Sequence, residues 1–165
     1  MFFADPSSQL NQQPLPLAGT GGSEKGALMN SCKKGKEGER AVAKLFQKAG
    51  YPAERGCQHD GLSGHPDVTN TPYIWVEVKW RARLNIYEAI EQAERDSSAL
   101  LEDVLPVVIH KKNREQWKCT MRVLDFLTLC GVTPFSFSCP VDGLVTMVWD
   151  EWIKIYTAYE AERGM

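Results

Sequence analysis

The sequence predicts an α/β fold in which a mixed β-sheet is flanked by helices, with a core order of αβββαβ. The main observation is an alternation of two apolar patterns along the chain, which gives a helix, three strands, a helix, further strands and a last helix. The second observation is the composition, with 43% hydrophobic and 24% charged residues, which is typical of a globular domain with a real core.

Residues 1–31 are expected to form a disordered tail that precedes this domain. They include the stretch SSQLNQQPLPLAGTGGSEKG, whose Pro, Gln, Ser and Gly residues leave little apolar surface to bury. The remaining residues, 32–165, have the size of a single domain.

The first half of the domain contains the first helix and three strands. Apolar residues recur at helical spacing over 36–49, and Gly50 provides a stop. A short strand and a glycine-rich loop follow within 51–66. Two further strands are predicted over 67–69 and 73–81, joined by the turn NTP.

The second half contains a helix over 85–103, with Asn85 as a plausible N-cap. The apolar run LPVVIHKK (105–112) predicts a buried strand. WKCTMRVLDFLTL (117–129) predicts a strand that can run into a short helix. GLVTMVWDEWIKIYTAYEAE (143–162) predicts a final strand followed by an amphipathic helix.

Three charged side chains on two adjacent strands form the most informative motif. Successive side chains of a strand point to opposite faces, so Glu77 and Lys79 share one face and Val78 lies between them. Asp67 belongs to the preceding strand, and the gap to Glu77 is long enough for the chain to turn and return. The plain alternative is a surface ion pair.

This motif suits phosphodiester hydrolysis, because Mg²⁺ takes one or two carboxylates and shares further oxygens with a phosphate. We expect Asp67, Glu77 and the backbone carbonyl of Val78 to hold the metal. Lys79 would orient the attacking water or stabilise charge on the phosphate. Glu39, in the first turn of the first helix, would assist, although the helix dipole alone also favours an acid there.

The residues HPDV and WVEVKW resemble the motif of the PD-(D/E)xK nuclease superfamily, with Asp67, Glu77 and Lys79 in the matching positions. The segment KGKEGERAVAKLF is similar to the first helix of the Holliday-junction resolvases in that superfamily, where Glu39 matches an additional acid. The resemblance spans about residues 35–125 and is greatest to small phage and prophage nucleases. It implies a restriction-endonuclease-like fold, dependence on Mg²⁺ or Mn²⁺, and DNA cleavage.

The function that follows is that of a metal-dependent DNA endonuclease that resolves Holliday junctions or other branched DNA, as a homodimer because resolution needs two symmetric nicks. Three alternatives stay open: a nuclease of another specificity (flap, RNA–DNA hybrid, duplex or restriction-type), a catalytically inactive nuclease-fold DNA-binding module, and an interaction domain with a surface ion pair. Gln92 fits the Gln-x-x-x-Tyr motif of the RecB-type exonucleases, but Asp96 stands where that motif has tyrosine. This departure argues against a processive exonuclease.

Basic and polar residues near the motif are the expected DNA contacts, although each charged cluster alone is consistent with solvated surface. The net charge of −2 does not indicate nucleic-acid binding, but a basic face on an acidic protein can bind phosphates. The expected contacts are Arg55, Arg81, Arg83, Gln92, Lys111 and Lys112.

Other metal sites and a membrane location are not expected. The five cysteines form no CxxC pair, which argues against structural zinc, an iron–sulfur cluster or a disulfide framework. His59, Asp60 and His65 match no usual zinc spacing. Free thiols, no apolar run of roughly 18 residues and no signal-peptide pattern predict a cytoplasmic protein, in the bacterial host if the gene belongs to a phage.

Overall fold

A computed structural model of the chain describes residues 21–56, 64–99, 103–132 and 143–164, with side chains described from residue 31 onward. The helices are α1 (Gly21–Lys48), α2 (Ile86–Ser97), α3 (Val123–Leu129) and α4 (Trp149–Arg163). The strands are β1 (Glu54–Arg55), β2 (Val68–Thr69), β3 (Ile74–Trp80), β4 (Leu105–Lys111), β5 (Lys118–Arg122) and β6 (Leu144–Val148).

The strands form a mixed sheet in the order β1-β2-β3-β4-β5-β6. Strands β3 and β4 are parallel, and the other neighbouring pairs are antiparallel. A parallel pair needs a crossover connection, which α2 supplies. The predicted class, a mixed sheet flanked by helices with an αβββαβ core, is therefore confirmed. Within the described ranges, no helix has both the length and the apolar character needed to cross a membrane.

The two faces of β3 bury different partners, as its alternating side chains predict. Val76 and Val78 belong to a buried cluster that includes Phe46 of α1 and Trp152 of α4. Trp75, on the opposite face, is buried with the apolar stripe of α2. Both faces of β3 are thus covered over most of its length, and its polar residues concentrate near the end that follows Val76.

The first helix is longer than the sequence predicted. It begins at Gly21 rather than at 36, so residues 21–31 are helical rather than a disordered tail. This stretch was assigned to the tail because of its glycines, although it also contains the good helix formers Glu, Lys, Ala, Leu and Met. Extending a helix that already exists adds one hydrogen bond per residue, which favours the longer helix. Residues 1–20 lie outside the described part of the chain, so the prediction of disorder there stays a prediction.

The second helix is shorter than predicted, because it ends at Ser97 rather than at 103. The hydroxyl of Ser97 donates to the carbonyl of Glu94 at 3.1 Å, and that of Ser98 donates to the carbonyl of Arg95 at 2.8 Å. Serines that bond to nearby backbone compete with helix continuation. Asn85 occupies the N-cap position, as predicted, although its side chain makes no capping hydrogen bond.

A close backbone approach at Gly56 holds β1 against the entry to β2. The N–H of Gly56 donates to the carbonyl of Asp67 at 2.9 Å. A Cβ atom at this position would lie 2.0 Å from the carbonyl oxygen of Pro66. Only glycine fits there without moving the segment that carries Asp67.

We expect Gly56→Ala to lower the free energy of unfolding by about 2 kcal/mol, because two backbones must separate to admit the methyl group. Urea denaturation measures this value. Gly35→Ala is the matched control, since its Cβ would meet nothing nearer than Oε1 of Glu39 at 3.9 Å. Equal stability of the two variants would contradict the close approach.

Candidate active site

Asp67 is placed by the backbone of β3. Its N–H donates to the carbonyl of Val76 at 2.9 Å, and its Oδ2 accepts a hydrogen bond from the N–H of Val78 at 2.8 Å. The Asp67 carboxylate therefore accepts the backbone hydrogen bond that a residue of β2 would otherwise accept from Val78. It lies beside the backbone of Val78, as the spacing of the motif requires.

Glu77 and Lys79 lie on the face of β3 that α2 covers. Glu77 is only 5% exposed, and the ammonium of Lys79 donates to its Oε1. The same ammonium donates to Oε1 of Gln92 on α2, at 3.0 Å. The lysine is thus held between a carboxylate of the sheet and an amide of the helix.

Glu39 of α1 reaches the site from the other side of the cavity. Its Oε2 lies 2.5 Å from Nε of Arg55 in β1, and both side chains are largely buried. Glu39 is therefore an ion-paired acid, and the sequence alone had not predicted its partner.

These side chains line one cavity of about 890 Å³. All but two of the site residues predicted from the sequence line this cavity. The lining residues among them are Glu39, Arg55, Asp67, Glu77, Val78, Lys79, Arg81, Arg83 and Gln92. Lys111 and Lys112 do not line it. The remainder of the lining comes mainly from α1 and the end of β3, and consists of Ser31, Cys32, Lys34, Gly35, Lys36, Trp80 and Ala82.

Ser31, Cys32, Lys34 and Gly35 were missed because the helix was predicted to begin at 36, and Lys36 was not singled out within it. The signal that could have found them is the run of basic residues at Lys33, Lys34 and Lys36, which the charge pattern shows.

Burial makes both central carboxylates costly to ionise. Burial and then the charge of Glu77 raise the pKa of Asp67 to about 7, and the hydrogen bond from Val78 only partly offsets this. Burial also raises the pKa of Glu77, while Lys79 acts in the opposite direction. A cation between the two acids would relieve this penalty, because opposite charge favours the ionised form.

The donor set suits a hard cation. Across the described ranges no group of three or more His, Cys, Asp or Glu side chains forms a metal cage. Two carboxylates are nevertheless what Mg²⁺ commonly takes from a protein, since water and phosphate oxygens fill its other positions. His65 is exposed, while His59 and Asp60, its companions in the zinc pattern, lie outside the described residues.

Two of the expected DNA contacts bond to other residues of the protein. Gln92 accepts from Lys79, and Arg55 pairs with Glu39. Arg81 and Arg83 are exposed at the cavity mouth, as a phosphate contact requires.

Comparisons with known proteins give little further information. No protein-family model matches the chain, and no curated protein matches it. Among solved structures, the chain is similar to Hjc of Archaeoglobus fulgidus, which is described as a Holliday junction resolvase from an archaeal hyperthermophile. The TM-score is 0.38 and the identity 23%, over 49% of this chain and 70% of that one.

Proposed function

We propose that the protein is a metal-dependent endodeoxyribonuclease that hydrolyses phosphodiester bonds in Holliday junctions or other branched DNA. The observation that carries the proposal is that Asp67, Glu77 and Lys79 meet in one cavity, although a turn separates the two acids along the chain. An ion pair on a plain surface would be solvated, whereas the Glu77 and Lys79 side chains are only 6% and 14% exposed.

The metal would be held by Asp67, Glu77 and the carbonyl of Val78. In a strand the N–H and the C=O of one residue point to the same edge. The N–H of Val78 points to the Asp67 carboxylate, so its carbonyl faces the same side. Bound Mg²⁺ or Mn²⁺ would supply positive charge against the phosphate and lower the pKa of water.

Lys79 would act on the phosphate or on the attacking water. Its ammonium has three N–H donors, and two of them are directed to Glu77 and Gln92. The third donor is left for a substrate oxygen or for water. Glu39 would assist at the far side of the cavity, where Arg55 holds it in place.

Gln92 is expected to help fix the position of the Lys79 ammonium, together with Glu77. We expect Gln92→Leu to lower the single-turnover cleavage rate by about tenfold, since it removes one of the two acceptors that hold the ammonium. Rapid-quench kinetics with saturating protein measures this rate. Gln47→Leu, on α1, is the matched control, because the Gln47 amide donates to the carbonyl of Ala53 and does not line the cavity. Equal rates for both variants would contradict the positioning role.

A panel of labelled DNA substrates tests the proposal as a whole. A four-way junction, a flap, an RNA–DNA hybrid, a linear duplex and a single strand are each incubated with Mg²⁺ and with Mn²⁺. We expect paired nicks in the junction, with a dimer observed by light scattering. Cleavage of the other substrates alone would indicate a nuclease of another specificity. Binding without any cleavage would favour the inactive DNA-binding module, and neither binding nor cleavage would refute the proposal.

A cytoplasmic site of action, in a bacterial host for a phage-encoded protein, stays a prediction. It rests on the cysteine pattern, which fits free thiols.

A further inference from the structure

A cluster of two lysines around two tryptophans lies next to the cavity, on the opposite face of β3 from Lys79. We call it the Lys–Trp cluster, and its members are Lys34, Trp80, Lys111, Asn113 and Trp117. Lys34 and Trp80 also line the cavity, so the cluster is continuous with the wall that carries the two acids.

Both ammonium groups lie over the Trp80 ring, and that of Lys111 also lies over the Trp117 ring. The Nζ atom of Lys111 lies 4.1 Å from the ring centroid of Trp80 and 4.7 Å from that of Trp117. The Nζ atom of Lys34 lies 5.2 Å from the Trp80 centroid. The electron-rich face of an aromatic ring attracts a cation. The rings carry no net charge, so the cluster keeps the two positive charges of its lysines.

Asn113 fixes the geometry of the cluster. Its Oδ1 accepts from Nζ of Lys34 at 2.6 Å and from the indole Nε1 of Trp80 at 3.1 Å. Helix α1 packs closely here, since a Cβ on Gly38 would lie 3.4 Å from the Cβ of Trp80. The helix, the end of β3 and the turn after β4 are therefore joined at one point.

The cluster has positive charge and hydrogen-bond donors without an acidic partner. Within the part of the chain that the structure describes, neither Lys34 nor Lys111 forms a salt bridge with a carboxylate. Each ammonium has three donors, of which Lys34 uses one on Asn113. Two cations over one aromatic ring, each with N–H donors left over, suit an extended anion with several oxygens, such as the phosphodiester backbone of DNA.

We propose that the Lys–Trp cluster binds the phosphate backbone of the DNA next to the phosphate that is cleaved. This inference rests on the proposed function, because it places the flanking backbone relative to the catalytic cavity. The contact is with phosphate rather than with a base, since the Lys111 ammonium lies over the Trp80 ring where a base would have to stack. It is therefore independent of sequence and sensitive to salt.

The test is a titration of fluorescent branched DNA with full-length protein in EDTA, at several salt concentrations. Lys34→Met and Lys111→Met remove the charges and keep most of the apolar stems. We expect the double variant to bind about tenfold more weakly at low salt. The slope of log K against log salt is negative, and it should become shallower by about 1 to 2, since each phosphate contact contributes about −0.9 to it.

The control is Lys154→Met, an exposed lysine of α4 that pairs with Glu151 and does not line the cavity. An unchanged slope, equal to that of this control, would overturn the inference. Lys111→Arg keeps the charge and should keep the wild-type slope, so it separates loss of charge from loss of packing.

Failure of this inference and failure of the proposed function are distinguishable. Binding in EDTA requires no cleavage, so a protein that cleaves nothing can still show the cluster's contribution to the salt slope. Conversely, cleavage of a junction with a wild-type slope in the double variant would support the nuclease and refute the backbone contact.

Discussion

Glu77→Gln is expected to reduce DNA cleavage by about a thousandfold at saturating Mg²⁺ while leaving DNA binding in EDTA intact. The substitution keeps the shape of the side chain and an oxygen that can accept from Lys79, but it removes the charge that would hold the metal. A loss of this size is typical of removing one group that stabilises charge in a transition state. Single-turnover cleavage of the preferred panel substrate measures it.

Glu91→Gln is the matched control, because Glu91 is exposed on α2 and does not line the cavity. Its rate should equal that of the wild type. Thermal unfolding of both variants shows whether a loss of cleavage comes from a loss of structure. Cleavage by a folded Glu77→Gln variant at the wild-type rate would refute the assignment of the metal site.

Asp67→Asn is expected to make the protein more stable at pH 8, even though it should also abolish cleavage. The folded-state pKa of Asp67 is about 7, above the ordinary value of 3.8 that applies to the unfolded chain. Between these values the unfolded chain loses the proton and the folded protein keeps it, so the free energy of unfolding falls as the pH rises. The full penalty, about 4 kcal/mol, is reached above pH 7. Asparagine does not ionise, so the Asp67→Asn variant does not have this penalty.

Urea denaturation of the wild type and Asp67→Asn at pH 4, 6 and 8 measures the difference. We expect nearly equal stabilities at pH 4 and a growing advantage for the variant at higher pH. Asp150→Asn is the control, because Asp150 is exposed in the first turn of α4, away from the cavity lining. A constant difference across this pH range would contradict the burial of an ionisable acid at position 67.

The same pair of proteins tests the metal site without any cleavage assay. A ligand that binds only the folded state raises its stability. At pH 8, Mg²⁺ should therefore raise the melting temperature of the wild type and leave that of Asp67→Asn unchanged. Equal shifts in both proteins would mean that the ion binds elsewhere.

The motif of Asp67, Glu77 and Lys79 could be predicted from local sequence rules. Alternation along 73–81 was enough to place Glu77 and Lys79 on the face opposite Val76 and Val78, because side chains of a strand change sides at every residue. The class of fold followed from the order of helical and strand patterns in the same way. Helix ends were predicted less well, since α1 begins and α2 ends where weak local preferences compete.

Contacts between distant segments were decided only by the tertiary structure. Nothing near Gln92 in the sequence indicates that it holds Lys79, since they meet only because α2 crosses over β3. The pairing of Glu39 with Arg55 likewise joins α1 to β1. Such partners depend on how helices pack against the sheet, which no local pattern encodes.

The sequence by itself determined the alternation of elements and the side of β3 on which its charges lie, because both are set by backbone geometry within a few residues. Only the folded chain decided that Asp67 meets the edge of β3 and that Lys34 joins Trp80 and Lys111. Asp67 meets β3 through the antiparallel pairing of β2 with β3. Lys34 reaches Trp80 because α1 packs against the sheet, where burial of apolar surface selects one arrangement for the whole domain.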